Sequence, residues 1–339
     1  MKISFLVTYY NQKEYVKQSL DSILNIEKPC DWEIIVGDDG SDDGTTDVVL
    51  EYIKRYPDNI SMHIMSRDIK GKYDLVNRAS RNRLNALKHS TGDLFCVLDG
   101  DDYYCNTSFV KRTVEIYEQH QDISVVAFGY STFTDGQLLQ KYNLIDNYEG
   151  YIKKEDYIKN YYTPAGACVF SAKWKEQRIE YLYDNGFFDD NNILMNNLDF
   201  GELYYIDECV YAYRQSGVSI YTSMNDLEQA LLNMQGFDMD VRLIDKTYYE
   251  ALLYRYGRFI YKCYVWRKQL LDILGQEKYE KYLFGCENIE NALSYKILTF
   301  DTLNKTEQKE VRKTIKLIEK MIPQLAVKMK LKYYLRGIR

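Results

Sequence analysis

The stretch Leu94-Phe95-Cys96-Val97-Leu98-Asp99-Gly100-Asp101-Asp102 decides the fold. Its first five residues are a continuous apolar run, the pattern of a strand buried on both faces. Such strands belong to parallel sheets covered by helices. The run stops on three carboxylates within four residues. Working outward, residues 2–8 (KISFLVT), 32–37 (WEIIVG) and 60–65 read as three more strands. Residues 14–24, with Val16, Leu20, Ile23 and Leu24 on one face, read as a helix, as do 44–56 and 75–87. Strands alternating with helices predict an α/β fold with a mostly parallel central sheet flanked by helices. Ligands of such sheets bind beyond the carboxyl ends of the strands. The residues that follow each strand are therefore the candidates for function.

Those residues are Thr8-Tyr9-Tyr10-Asn11, Asp38-Asp39-Gly40-Ser41 and Asp99-Gly100-Asp101-Asp102. Adjacent carboxylates repel, and keeping them together costs energy unless a cation or hydrogen-bond donors offset them. Hard cations such as Mg2+ and Mn2+ take oxygen ligands, commonly one or two carboxylates plus substrate phosphates. The 99–102 turn therefore reads either as a cation-and-diphosphate site or as a solvated acidic turn, which Asp-Gly also favours. A calcium loop starting at Asp39 is excluded, because its twelfth residue is Leu50 where a bidentate Glu is required. Arg81-Asn82, on the helix before the fourth strand, reads as a cation reaching the phosphate edge or as part of an exposed basic face with Arg78, Arg83 and Lys88. Neither G-x-x-x-x-G-K-[ST] nor G-x-G-x-x-G is present, so P-loop and Rossmann cofactor sites lack their phosphate cradle. His63, His89 and His120 are isolated and support neither a zinc site nor a Ser-His-Asp triad.

The 339 residues suffice for one large domain or two moderate ones. Short strands at 125–128 and 167–170 and a helix at 155–161 follow the α/β region, and beyond Ser223 the pattern is helical at 224–243, 248–274, 288–298 and 305–322. We expect a catalytic domain over 1–222 and a helical region over 223–339. The net charge of −6 argues against a general nucleic-acid binder. That charge is unevenly spread: residues 305–339 carry +8 and the rest −14. The segment 312–339 interleaves Lys and Arg with apolar residues, which suits either an anionic membrane surface or packing on the acidic body. Seven scattered Cys without a C-x-x-C predict reduced thiols and a cytoplasmic protein. The opening MKISFLVTYYNQ lacks the features of a signal peptide. No apolar run approaches the roughly 18–20 residues of a spanning helix. The 34 Tyr stand against only 4 Pro; this excess reflects either codon bias or rings that line a sugar or nucleotide site.

Taken in order, TYYN at 8–11, SIL at 22–24, EIIVGDDGSDDGT at 33–45, ASRNRLNA at 79–86 and LFCVLDGDD at 94–102 resemble the inverting family 2 glycosyltransferases of the GT-A fold. The match in order and spacing covers about the first 105 residues and continues more loosely to about 221. The resemblance implies a Rossmann-like GT-A domain followed by an α-helical C-terminal region. It implies that Thr8, Tyr10 and Asn11 hold the nucleotide base, with Asp39 or Asp38 accepting the uracil imide hydrogen. Asp99, Gly100 and Asp101 would line ribose or metal, and Asp101 and Asp102 would bind Mn2+ or Mg2+. Arg81 would lie near the diphosphate. The family's Glu-Asp pair, which carries the catalytic base, corresponds to Phe187-Phe188-Asp189-Asp190-Asn191, with Asp189 in the place of Glu; Asp190 is favoured as base over Asp189. Tyr213-Arg214-Gln215-Ser216-Gly217-Val218-Ser219-Ile220 resembles the family's Y-R-x-x-x-x-S segment and makes Arg214 a diphosphate contact.

The implied activity is metal-dependent, inverting transfer of a hexose-type sugar from a nucleotide-sugar donor, by family habit a UDP-sugar. The acceptor would be a hydroxyl of a glycan or lipid-linked molecule in surface-polysaccharide synthesis. The spanning helices and Q-x-x-R-W motif of processive synthases are not seen, so addition of one or a few sugars is expected. Two other readings compete. A nucleotidyltransferase would begin with a Gly-rich, basic phosphate loop, which TYYNQ is not. A silent sugar-nucleotide-binding module would not need Asp101, Asp102 and Asp190 together.

Overall fold

The computed structural model describes residues 1–65, 75–134, 137–185, 188–215, 224–272 and 292–325. The first part of the chain alternates as the periodicity predicts: β1 (Lys2–Tyr9), α1 (Lys13–Leu24), β2 (Asp31–Asp38), α2 (Thr45–Arg55), β3 (Ile60–Ile64), α3 (Leu75–His89) and β4 (Leu94–Asp99). These four strands lie in the order β3-β2-β1-β4, all parallel. Ile3, Phe5, Val7, Ile34, Val36, Cys96 and Leu98 are fully buried. That explains why the strands read as continuous apolar runs rather than as alternating ones.

The sheet then turns mixed. The chain continues through β5 (Tyr103–Tyr104), α4 (Phe109–Gln119), β6 (Ile123–Thr134), β7 (Gln137–Tyr142), β8 (Glu149–Ile152), α5 (Lys154–Asn160) and a 3-10 turn at Ala165–Ala167. It ends in β9 (Cys168–Ser171), α6 (Lys175–Asn185), α7 (Asp190–Phe200) and β10 (Glu202–Arg214). The order extends β4-β9-β6-β10-β5, with β7 pairing β6 and β8 pairing β10. β9 runs antiparallel to β4 and β6, whereas β10 runs parallel to β6. The thirteen-residue β10 gave no clear signal in sequence, because it carries Asp207 and Glu208 mid-strand and shifts register between Ile206 and Tyr211. A bulge resets the two-residue period on which a strand is recognised.

Residues 1–157 with 161–219 form one compact unit, and 158–160 with 220–339 form another. The second holds α8 (Asp226–Leu243), α9 (Tyr249–Val265), α10 (Leu293–Leu298) and α11 (Lys305–Met321). Asn225 and Asn304 start α8 and α11 with complete capping boxes through Glu228 and Glu307. Asp238 caps α10 by accepting from the Leu293 and Ser294 N–H groups at 2.7 and 2.9 Å. The basic helix α11 buries Val311, Ile315 and Ile318 within its own unit. Gly257 of α9 lets it approach closely, since a Cβ there would meet Ile318 at 3.1 Å. Over 312–321, Ile315 and Ile318 of the apolar stripe are buried in packing. Residues 326–339 of that segment, Phe187 and residues 216–220 of the Y-R-x-x-x-x-S segment lie outside the described residues. Among the described residues no helix is long and apolar enough to cross a membrane.

Candidate active site

Strand register brings the three acidic and polar turns together. Thr8 of β1 lies opposite Asp99 of β4 and Gly37 of β2, and Tyr9 lies opposite Asp38. The ladder continues one residue further, with Gly100 N–H donating to Thr8 O at 2.9 Å and Asp39 N–H to Tyr9 O at 3.0 Å. The Thr8 hydroxyl donates to Asp99 Oδ1 at 3.2 Å. The buried Tyr9 ring lies against Gly100, where a Cβ would sit 2.1 Å from Tyr9 Cδ1. Gly100 is therefore demanded by ring packing beneath the acidic turn. Gly100→Ala should cost about 1–3 kcal/mol by forcing the ring or the turn to move; an unchanged urea midpoint would remove this account.

Side chains then fix the loops. Asn11, in the left-handed region at φ 52°, donates from its backbone to Ser41 Oγ and accepts from Asp42 N–H, both at 2.9 Å. Asp38 is fully buried and accepts from the Ser41 N–H and hydroxyl at 2.8 and 2.7 Å. It shapes its own turn. Asp39 instead forms a two-pronged ion pair with Arg78, one prong being Nε to Oδ2 at 2.9 Å. Tyr10 is 41% exposed. Asn82 pins α3 to the strand ends by donating to Gly37 O at 3.0 Å and Tyr9 O at 3.3 Å.

The two arginines Arg81 and Arg83 of α3 take different partners. Arg81 donates to the carbonyls of Tyr183 and Asp184 at 3.1 and 3.3 Å, at the end of α6. It is Arg83 that pairs with Asp99, from Nη2 at 2.7 and 2.9 Å. The helical turn decides this, since residues two apart point some 200° apart around α3.

Asp101 and Asp102 also part company. Asp102 is 2% exposed, and its two oxygens accept from the Tyr211 hydroxyl and, at 2.7 Å, the Arg214 N–H. Burial and the neighbouring Asp101 and Asp99 push its carboxyl well above the usual range. Burial and Asp99 also raise Asp101. Arg214 donates from Nε to Asp101 O at 2.7 Å and from Nη2 to Gln18 Oε1 at 2.5 Å. Its guanidinium lies 4.4 Å from the ring centroids of both Tyr15 and Phe133. Arg214 thus holds the backbone of the acidic turn.

Among the described residues, no three His, Cys, Asp or Glu side chains gather as a metal cage. The residues present fit a divalent ion of the shared kind, in which the protein supplies one or two carboxylates and the substrate supplies phosphate oxygens. Asp101 is the carboxylate whose repulsion from Asp99 a cation would relieve. Of the expected Asp101–Asp102 ligand pair, Asp102 is also hydrogen-bonded to Tyr211 and the Arg214 N–H of β10.

At the start of α7 the acidic pair separates by role. Asp189 is the N-cap, accepting from the Asn192 N–H at 3.1 Å. Burial pushes it up to about 6. Asp190 accepts from the Tyr162 hydroxyl at 2.8 Å and the Ala165 N–H at 3.3 Å. Burial raises its pKa, with Arg83 opposing and Asp99 adding to the rise. Arg83 therefore lies in the fields of both the β4 turn and the α7 pair. Sequence reasoning had singled out neither Arg83 nor Tyr162. Arg83 was visible only as one of several cations on α3, and Tyr162 lies far from any matched motif.

A parallel β3-β2-β1-β4 half-sheet with an acidic turn after β4, extended by a mixed half, is the GT-A glycosyltransferase arrangement. The sequence profile of glycosyl transferase family 2 matches residues 4–178, and the chain belongs to that family. It is 33% identical over 137 residues to the putative glycosyltransferase EpsE of Bacillus subtilis, covering 40% of this chain and 45% of that one. It is 25% identical over 127 residues to the poly(ribitol-phosphate) beta-N-acetylglucosaminyltransferase TarS of Staphylococcus aureus, covering 37% and 21%. These matches span less than half the length of the relatives. The crystal structure of S. aureus TarS 1–349 with UDP superposes over 96% of this chain and 92% of that one, with a TM-score of 0.56 at 17% identity. That likeness establishes the fold.

Proposed function

We propose that this protein transfers a hexose-type sugar, with inversion, from a UDP-sugar to a hydroxyl of a glycan or lipid-linked acceptor, one or a few sugars at a time, in surface-polysaccharide synthesis. The observation that carries the reading is the position of Arg83. It pairs with Asp99 on the donor turn and lies in the field of Asp190 at the start of α7. A single guanidinium would therefore link a leaving-group site and a candidate base. TarS structures with UDP and with UDP-GlcNAc support the choice of donor. We assign catalysis to residues 1–222, with 223–339 as a separate helical region, and place the protein in the cytoplasm. Peripheral contact with the inner membrane face would rest on 326–339, since the stripe before it is packed.

We assign the roles as follows. Asp39, oriented by Arg78, would accept the uracil imide hydrogen, with Thr8, Tyr10 and Asn11 around the base and Asp38 holding the turn. Asp99 and Gly100 would line the ribose. Asp101 would hold Mn2+ or Mg2+, which when bound offsets charge building on the leaving diphosphate. Arg83, which pairs with Asp99, joins Arg81 as a candidate diphosphate contact, and Arg214 would steady the turn. Asp190 would take the proton from the attacking hydroxyl. A base on the face opposite the leaving group gives inversion in one displacement.

The test is turnover of a sugar-nucleotide panel with Mn2+ or Mg2+, with and without acceptor. Release of UDP from a UDP-sugar, and an inverted product when acceptor is present, is the expected result. Formation of a sugar nucleotide from a nucleoside triphosphate would make it a nucleotidyltransferase. Binding without turnover would make it a silent module.

A further inference from the structure

Part of the tyrosine excess forms an ordered band across the sheet. Residues paired across neighbouring strands send their side chains to the same face. Tyr142 of β7 pairs with Tyr130 of β6, and Tyr130 pairs with Tyr211 of β10. Tyr213, two residues along β10, returns to that face. The Tyr130 and Tyr142 rings stack with centroids 4.8 Å apart and planes 11° apart. The inner end of the band is closed. Tyr211 is buried, bonds Asp102, and packs so tightly on Gly166 that a Cβ there would lie 2.3 Å from its ring. The outer members Tyr130, Tyr142 and Tyr213 are only half-buried. Tyr162, 46% exposed, donates its hydroxyl to Asp190 Oδ2 at 2.8 Å. Tyr130 also lies in the field of Asp190 and of Tyr213.

Flat rings with hydroxyls at their rims match a pyranose, which has an apolar C–H face and a polar edge. Unlike Tyr211, the outer rings keep part of their surface accessible. The Tyr162 hydroxyl donates to an oxygen of the candidate base. We propose that Tyr142, Tyr130, Tyr213 and Tyr162 form the acceptor subsite. They would take a pyranose ring of a glycan acceptor and present its hydroxyl to Asp190. Tyr162 acts here as a positioning residue for the base. The proposal rests on the glycosyltransferase reading above.

The test is saturation-transfer NMR on the full chain with UDP at saturation. The probes are methyl pyranosides (gluco, galacto, manno and N-acetylglucosamine) and, separately, ribitol 5-phosphate. At least one pyranoside should be saturated on its ring C–H protons. Its affinity should fall about fivefold in Tyr142→Ala and similarly in Tyr142→Leu, which keeps the bulk and removes the ring. UDP affinity is measured on the same samples. No saturated pyranoside in the wild type, undiminished affinity in both variants, or saturation of ribitol 5-phosphate alone would each overturn the subsite. Absence of UDP binding would overturn the donor reading instead, so the two failures are separable.

Discussion

Asp190→Asn lowers transfer by roughly 10²–10⁴-fold, the range for loss of a general base, while the protein stays folded and binds UDP. The amide cannot take a proton, yet it keeps an oxygen for the Tyr162 hydroxyl or the Ala165 N–H. The neighbour gives the contrast. Asp189 caps α7, and Asn caps a helix as well as Asp does. Asp189→Asn should therefore keep most of the activity, and its urea midpoint at pH 7 should hold or rise. The sign follows from linkage. Burial raises Asp189 to about 6 in the fold. Its contribution to stability is therefore greatest below the unfolded value, about 3.9, and declines as pH rises through about 6. Asn carries no such charge. For Asp190 the raised pKa has a kinetic reading. The base is protonated over a wider acid range, so transfer should fall with decreasing pH above the ordinary Asp range, and Asp190→Asn should abolish that limb. Near wild-type turnover in purified Asp190→Asn, with loss in Asp189→Asn, would move the base one residue back.

Asp102→Ala should destabilise the protein by about 2–4 kcal/mol in urea unfolding, because it strands the buried Tyr211 hydroxyl and the Arg214 N–H. Asp102→Asn should be milder, at about 1 kcal/mol, since its carbonyl still accepts from Arg214 and the tyrosine hydroxyl can turn to accept from the amide. The motif alone treats Asp101 and Asp102 as equivalent ligands. The fold separates them: Asp101→Asn should raise the Mn2+ concentration needed for half-maximal transfer, whereas Asp102→Asn should act mainly on stability. An Asp102→Asn protein as stable as wild type but with a changed Mn2+ requirement would restore Asp102 to the ion.

Much of this was legible in the chain. Buried parallel strands announce themselves as largely apolar runs, so β1, β2 and β4, and the acidic turns after β2 and β4, follow directly from the residues. The helices between them obey the 3.6-residue period. β10 was hidden because a bulged strand carrying charge loses its period, and its pairing with β6 joins residues some eighty apart in the chain. The basic amphipathic helix α11 looked the same whether it met a membrane or its own unit; burial of Val311, Ile315 and Ile318 shows that it packs.

By itself, the sequence determined the α/β class, the family and the carboxylates at the strand ends, because each of these is local: a run, a period or a motif. Tertiary structure alone decided which members of each cluster do what. It turned Arg83 rather than Arg81 toward Asp99, joined Asp102 to Tyr211 and the Arg214 N–H of β10, and made Asp189 a helix cap while joining Asp190 to the Tyr162 hydroxyl. It also gathered tyrosines from three strands and a loop. Adjacent residues of one chemical type are indistinguishable in a motif. They come apart only when backbone direction and the surrounding packing assign each side chain its partners.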